Sequence, residues 1–129
     1  MFEKLAMVTR FVSDQETALE FYTQTLGFDL VRDNQGPHGR FVTVAPTANT
    51  GAELILMTPD GFGEAADALR ALVGNDPGLI YAVEDCRNAY EVLVERGVEF
   101  RSEPQDMPWG TQAALVDPDG NEIVIQDRI

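Results

Sequence analysis

One cysteine, one histidine, one tryptophan and one lysine are all that this chain of 129 residues contains of those types. Cys86 alone forms no internal disulfide and builds no thiolate metal centre. With His38 as the sole imidazole, no convincing Ser-His-Asp arrangement can be assembled. No apolar run reaches the roughly 18 residues that a membrane span requires. The first residues show no charged-then-apolar leader. A cytoplasmic protein is the expectation. A phosphate-cradling loop is missing too, because Gly36 and Gly39 lack the strand-turn-helix setting.

What is present is globular. Apolar residues make up 44% and charged residues 24%, enough hydrophobe for one domain with its own core. The net charge is −13, and of nine cations only Lys4 is a lysine. Such a surface repels nucleic acid and anionic lipid, so neither is expected as a partner. An ordinary acidic protein is one explanation of this balance. A salt-loving source is the sharper one, since acidic, lysine-poor surfaces rely on screening of their own repulsion.

The chain also repeats itself. Val12, Ser13 and Asp14 are answered by Val83, Glu84 and Asp85, and Leu26-Gly27-Phe28 by Arg96-Gly97-Val98. Later, Gly51-Ala-Glu-Leu-Ile-Leu is answered by Gly120-Asn-Glu-Ile-Val-Ile. The offset is 71 residues at the aspartates, 70 at the first glycines and 69 at Glu53 and Glu122. A repeat held over three anchors marks a duplicated module.

Each copy predicts the order β-α-β-β-β. In the first, Leu5 to Val12 reads as a strand. Ser13 to Glu16 reads as a capping box with Ser13 at the N-cap. Ala18, Phe21, Tyr22 and Leu26 then mark one helix face, ended by Gly27. Strands follow at 28–32, 40–44 and 52–57, separated by turn-rich stretches at 34–39 and 46–51. In the second, a strand at 79–83 precedes a helix with Ala89, Val92 and Leu93 on its buried face, ending near Gly97. Strands at 98–101, 112–116 and 122–126 complete it, the last two joined by the turn signal Asp117-Pro-Asp-Gly-Asn121. Module one thus spans 1–58 and module two 78–129. The linker 59–77 has a short helix pattern of Ala65, Leu69, Leu72 and Val73. It reads first as a crossover, and alternatively as a pocket cover with Phe62 as the apolar contact.

Two such modules carrying Val8-Thr9, Val12-Ser13-Asp14, Ala18-Leu19, Phe21-Tyr22 and Leu26-Gly27-Phe28 resemble the vicinal oxygen chelate superfamily. That superfamily includes glyoxalase I, bleomycin-resistance proteins and extradiol dioxygenases. Val83-Glu84-Asp85, Arg96-Gly97-Val98 and Asp117 to Asn121 carry the likeness in the second copy. The resemblance covers essentially the whole chain and implies an α+β fold. In that fold two tandem βαβββ modules form curled mixed sheets around a cup. It also implies a homodimer. It names no activity, since one fold hosts many chemistries.

Metal-using relatives take one histidine, glutamine or glutamate from each of four cup-facing strands. Carried onto this chain, those positions are Met7, Gly78, Val124 and either Glu53 or Ile55, depending on which copy guides the alignment. Methionine, glycine and valine are poor or empty ligands for a hard divalent ion. The expectation is therefore no metal and no other cofactor. If a metal is bound after all, Glu53 and Glu122 are its candidate ligands. His38 sits in a turn and reads as a solvated side chain. The cup itself remains. Strand alternation points Met7, Thr9 and Phe11 one way, with Glu53, Ile55 and Met57, and Glu122, Val124 and Gln126. That set gives apolar walls with sparse polar groups, as small-molecule pockets usually have. Trp109 lies in a turn, at the pocket mouth or against a dimer partner in equal measure, with Phe41 as further aromatic surface. The competing reading is that these side chains merely fill a core, against which the costly burial of Glu53 and Glu122 argues. Tyr22 and Tyr81 are expected in the core, and Arg10 falls on the helix-facing side where an apolar residue belongs.

The expected function is metal-free binding of a small organic molecule, sequestering or sensing it, with no catalytic residue assigned. The alternative is a lyase, isomerase or dioxygenase using Zn, Ni, Mn or Fe held by relocated ligands such as Glu53, Glu122, Gln126 and His38. A dimer with no ligand is the third option. For the charge, a salt-loving source predicts a melting temperature that rises from dilute buffer to molar KCl. Equal melting in both would contradict it.

Overall fold

The structure is a computed structural model and describes residues 1–48 and 51–129. Asn49 and Thr50, inside the expected turn at 46–51, lie outside the described residues. The chain divides into two compact units, Met1–Val73 and Gly74–Ile129. The helical part of the linker belongs to the first. Among the described residues no helix is long and apolar enough to cross a membrane.

The first unit runs β1 (Met7–Phe11), α1 (Gln15–Glu20), β2 (Asp29–Gly36), β3 (Gly39–Ala45) and β4 (Glu53–Met57). A 3-10 turn (Pro59–Ala65) and α2 (Ala66–Arg70) follow. Its sheet has the order β1-β4-β3-β2, with β1 parallel to β4 and the other pairs antiparallel. The second unit repeats this with β5 (Leu79–Ala82), α3 (Cys86–Glu95), β6 (Phe100–Met107), β7 (Gly110–Val116) and β8 (Glu122–Gln126). Its order is β5-β8-β7-β6. The fold is therefore two four-stranded mixed sheets with helices, in two βαβββ-like modules.

Alternation along the strands separates two faces in each unit. In the first, Val42, Val44, Leu54 and Leu56 are buried on the helix side with Ala18 and Tyr22. Arg10 shares that side and is 1% exposed, so a full guanidinium lies in this core. Gln15 ties the start of α1 to the sheet, its Nε2 donating to the carbonyls of Arg40 at 2.7 Å and Leu56 at 3.0 Å. In the second unit Ala113, Leu115, Ile123 and Ile125 bury with Cys86. Val92, expected on the buried face of α3, is instead exposed, and Tyr81 is only half-buried. Burial on α3 falls mainly at its first turn, where Cys86 meets the Ile125 carbonyl.

The repeated aspartate is the N-cap in both copies. Asp14 Oδ2 accepts from the Thr17 amide at 3.0 Å, and Asp85 Oδ1 from the Asn88 amide at 3.1 Å. This corrects the assignment of the cap to Ser13. The carboxylate one residue later takes the Thr17 amide, where a Ser13 cap would take that of Glu16, and extended backbone at Asp14 marks it as the cap. After the cap the copies differ by one residue. The first accommodates its extra residue in a π-helical turn, Phe21–Thr25, so that the Phe28 amide reaches the Tyr22 carbonyl. The second closes the equivalent bond from Val98 to Leu93 without it. Gly27 and Gly97, with φ of 82° and 84°, end the two helices in the left-handed region.

Strand ends lie further out than expected. β2 extends to Gly36 and β6 covers Phe100–Met107, because each pairs with its neighbour down to a two-residue turn. Polar residues and bulges in both strands mask them as loop in the sequence.

The Thr17 hydroxyl and amide hold the Asp14 carboxyl below the usual carboxylate range. A lowered folded-state pKa adds stability above the unfolded value of 3.8 that is lost as pH falls through the folded one. Asp14→Ala should therefore lower the urea midpoint at pH 7 more than Ser13→Ala does. Its gap from wild type should close as the pH is taken below that value. A larger loss in Ser13→Ala would restore serine as the cap.

Candidate functional site

The face of the first sheet turned away from α1 carries the register pairs Met7 with Glu53, Thr9 with Ile55 and Phe11 with Met57. Its two ends have different chemistry. At the Met7 end, Glu53 forms a two-pronged ion pair with Arg32, at 2.9 Å from Nε and 3.2 Å from Nη2. It also accepts from the Thr43 hydroxyl at 2.8 Å. These hydrogen bonds, the Arg32 one foremost, hold the Glu53 carboxyl below its ordinary range.

At the other end lies a cavity of about 330 Å³. Thr9, Phe11, Ile55, Met57 and Phe41 form its sheet wall. The β2–β3 turn, Gly36 to Gly39, forms a second wall, and Phe62 of the 3-10 turn a third. The turn is locked to the 3-10 segment. The His38 ring stacks on Phe62 with centroids 4.0 Å apart and planes at 9°, and its Nδ1 lies 3.2 Å from the Gly61 carbonyl. Phe62 in turn meets Phe11 edge to face at 5.6 Å. A Cβ on Gly61 would sit 2.0 Å from the His38 carbonyl oxygen, so only glycine permits this approach.

Of the residues expected at the site, the cavity brings together Thr9, Phe11, Ile55 and Met57. Met7 and Glu53 share the face without lining it. Val124, Gln126 and Trp109 belong to the second unit, as does Glu122. There Ile80 pairs with Val124 and Ala82 with Gln126. Gln126 Oε1 accepts from Gln112 Nε2 at 2.6 Å, and Trp109, at the tip of the β6–β7 turn, is 57% exposed. Pro37-His38-Gly39 and Pro108-Trp109-Gly110 occupy matching turns in the two copies.

His38 is an exposed turn residue, as expected, and it also forms one wall of the cavity. What the turn composition did not show is the contact that seats its ring, with Gly61, 23 residues away. The Gly61-Phe-Gly63 sequence in the linker was the available signal. Cys86 is buried; burial foremost, then the Asp127 charge, pushes its thiol up, away from thiolate reactivity.

The family's ligand positions do not fit a divalent ion in either unit. In the first, Met7 offers a thioether, Ile55 nothing, and Glu53 is committed to Arg32 and Thr43. In the second, Gly78 has no room for a side chain, since a Cβ would lie 2.9 Å from Val124 Cγ2, and Val124 has no donor. Among the described residues no three His, Cys, Asp or Glu side chains gather as a metal-holding group.

Comparison with known proteins agrees with this architecture. The crystal structure of TnmS3, described as an antibiotic binding protein from Streptomyces sp. CB03234, is 36% identical with a TM-score of 0.84, covering 98% of this chain and 96% of that one. A superfamily member from Sphaerobacter thermophilus DSM 20745 is 36% identical with a TM-score of 0.81, covering 98% of each chain. The uncharacterized Bacillus subtilis protein YurT is 35% identical over 129 residues, 97% of this chain and 99% of its own. Residues 4–125 match the family model of the Glyoxalase/Bleomycin resistance protein/Dioxygenase superfamily. With its two βαβββ-like modules and that match, the chain belongs to the glyoxalase/bleomycin resistance protein/dioxygenase superfamily.

Proposed function

We propose that this protein binds a small organic molecule in the first unit's cavity without a metal, and sequesters or senses it rather than converting it. The observation that carries this is the aromatic-walled cavity flanked by the His38–Phe62 stack. Its volume is at the lower end of the roughly 300 to 1,000 Å³ of small-molecule sites. Its walls are mainly apolar, with the Thr9 hydroxyl and the His38 imidazole as the polar side chains. The likeness to an antibiotic binding protein supports the same assignment. A metal-dependent enzyme finds less support, because the carboxylate nearest the family's ligand positions in this unit is already neutralised by an arginine.

The proposal includes pairing of two copies. Trp109 and Ile80, at 57% and 58% exposure, are large apolar side chains that a second copy would cover. Sedimentation is expected to give a dimer at micromolar concentration, and a monomer there would remove this part.

Binding is tested by thermal shift and calorimetry against a set of neutral aromatic compounds. A ligand at about one hundred times its Kd stabilises the folded state by roughly 2.7 kcal/mol, a shift of several degrees. Chelator treatment is expected to leave that shift unchanged. Ile55→Trp, which fills the cavity, should abolish it while keeping the far-ultraviolet spectrum. Stoichiometric Zn, Ni, Mn or Fe in protein purified without chelator, with binding lost on its removal, would overturn the proposal in favour of the enzyme.

A further inference from the structure

We propose that His38 makes the first unit's cavity selective for neutral planar aromatic ligands that carry a hydrogen-bond donor, a phenolic hydroxyl or a ring N–H. This rests on the binding function above and names the chemistry of its ligand. A backbone carbonyl can only accept, so the contact with Gly61 requires the His38 proton on Nδ1. In the neutral ring Nε2 then carries the lone pair and is an acceptor. No hydrogen bond among the described residues engages that nitrogen. The stack on Phe62 and the Gly61 bond together fix the ring plane, so the acceptor is held in place before any ligand arrives.

The rest of the cavity narrows the choice. Among the described residues no lining side chain is an acid, a lysine or an arginine, so neither an anionic nor a cationic group finds a fixed counter-charge there. Phe11, Phe41 and Phe62 offer flat apolar surface. Thr9 can donate or accept and therefore discriminates little. His38 does discriminate, because it is exposed and a ligand lacking a donor would displace water from Nε2 without replacing its hydrogen bond. Sites built to hydrogen-bond a hydroxyl reject analogues without one for that reason.

Calorimetry with 1-naphthol and 1-methoxynaphthalene, on wild type, His38→Phe and His38→Gln, tests this. The pair differs in donor capacity at one position. Wild type is expected to prefer the naphthol by about tenfold or more. His38→Phe keeps an aromatic ring for the stack and should erase the preference, binding the methyl ether at least as well as wild type does. His38→Gln keeps an acceptor and should retain part of the preference. A preference that survives undiminished in both variants overturns the role of His38 and leaves the binding function standing. Equal affinity of wild type for the two probes, or binding of neither, also overturns it. If no compound of the wider aromatic set binds either, the binding function falls with it.

Discussion

The seating of the β2–β3 turn on the linker is the contact on which the cavity depends. The hairpin tip is exposed, yet one side of it bends against Gly61, whose missing side chain lets the His38 backbone approach within what would be a clash for any other residue. That approach brings the imidazole flat onto Phe62 and sets its Nδ1 against the Gly61 carbonyl. A sheet face that would otherwise be an open apolar surface gains two further walls. The linker, of ambiguous purpose as sequence, is thereby part of the first unit's chemistry as well as a crossover.

The two copies share a scaffold and divide in content. Both are capped by the aspartate of Val-x-Asp, both end their helix on a left-handed glycine, and both pair first strand to last in parallel. On the face away from the helix, Thr9, Phe11, Phe41 and Met57 in the first unit stand where the second has Ile80, Ala82, Gln112 and Gln126. The first face is aromatic and flanked by a histidine. The second carries a glutamine pair and an exposed tryptophan at the matching turn. Duplication preserved what folds the module and left each inner face free to differ.

Much of this was legible in the sequence, and the limits have physical causes. The repeat located α1, α3 and the strand order of both modules, because period-2 alternation and glycine stops are local signals, while α2 in the linker was read from its own helical spacing. Strand parity grouped Thr9 with Phe11 and Ile55 with Met57, and the family resemblance chose the face that they share. The first cap was misplaced by one residue, since serine and aspartate compete for the same role and only backbone conformation separates them. The π-helical turn hid in the drop of the repeat offset from 71 to 70, which has no local signature. The cost of burying Glu53 was read only as an argument against a dry core; its partner, Arg32, sits beside a bulge that shifts its register by one residue. His38 was rightly read as an exposed turn residue, and its place in the cavity wall escaped because that depends on a contact across 23 residues.

The central claim is that a ligand sits against the first sheet behind His38 and Phe62. Intermolecular nuclear Overhauser effects from a bound aromatic probe to assigned methyl groups test it most directly. The account predicts contacts to the methyls of Ile55 and Met57 and to the Phe62 ring. Contacts confined to Ile80 and Val124 of the second unit, with none to the first, would contradict it.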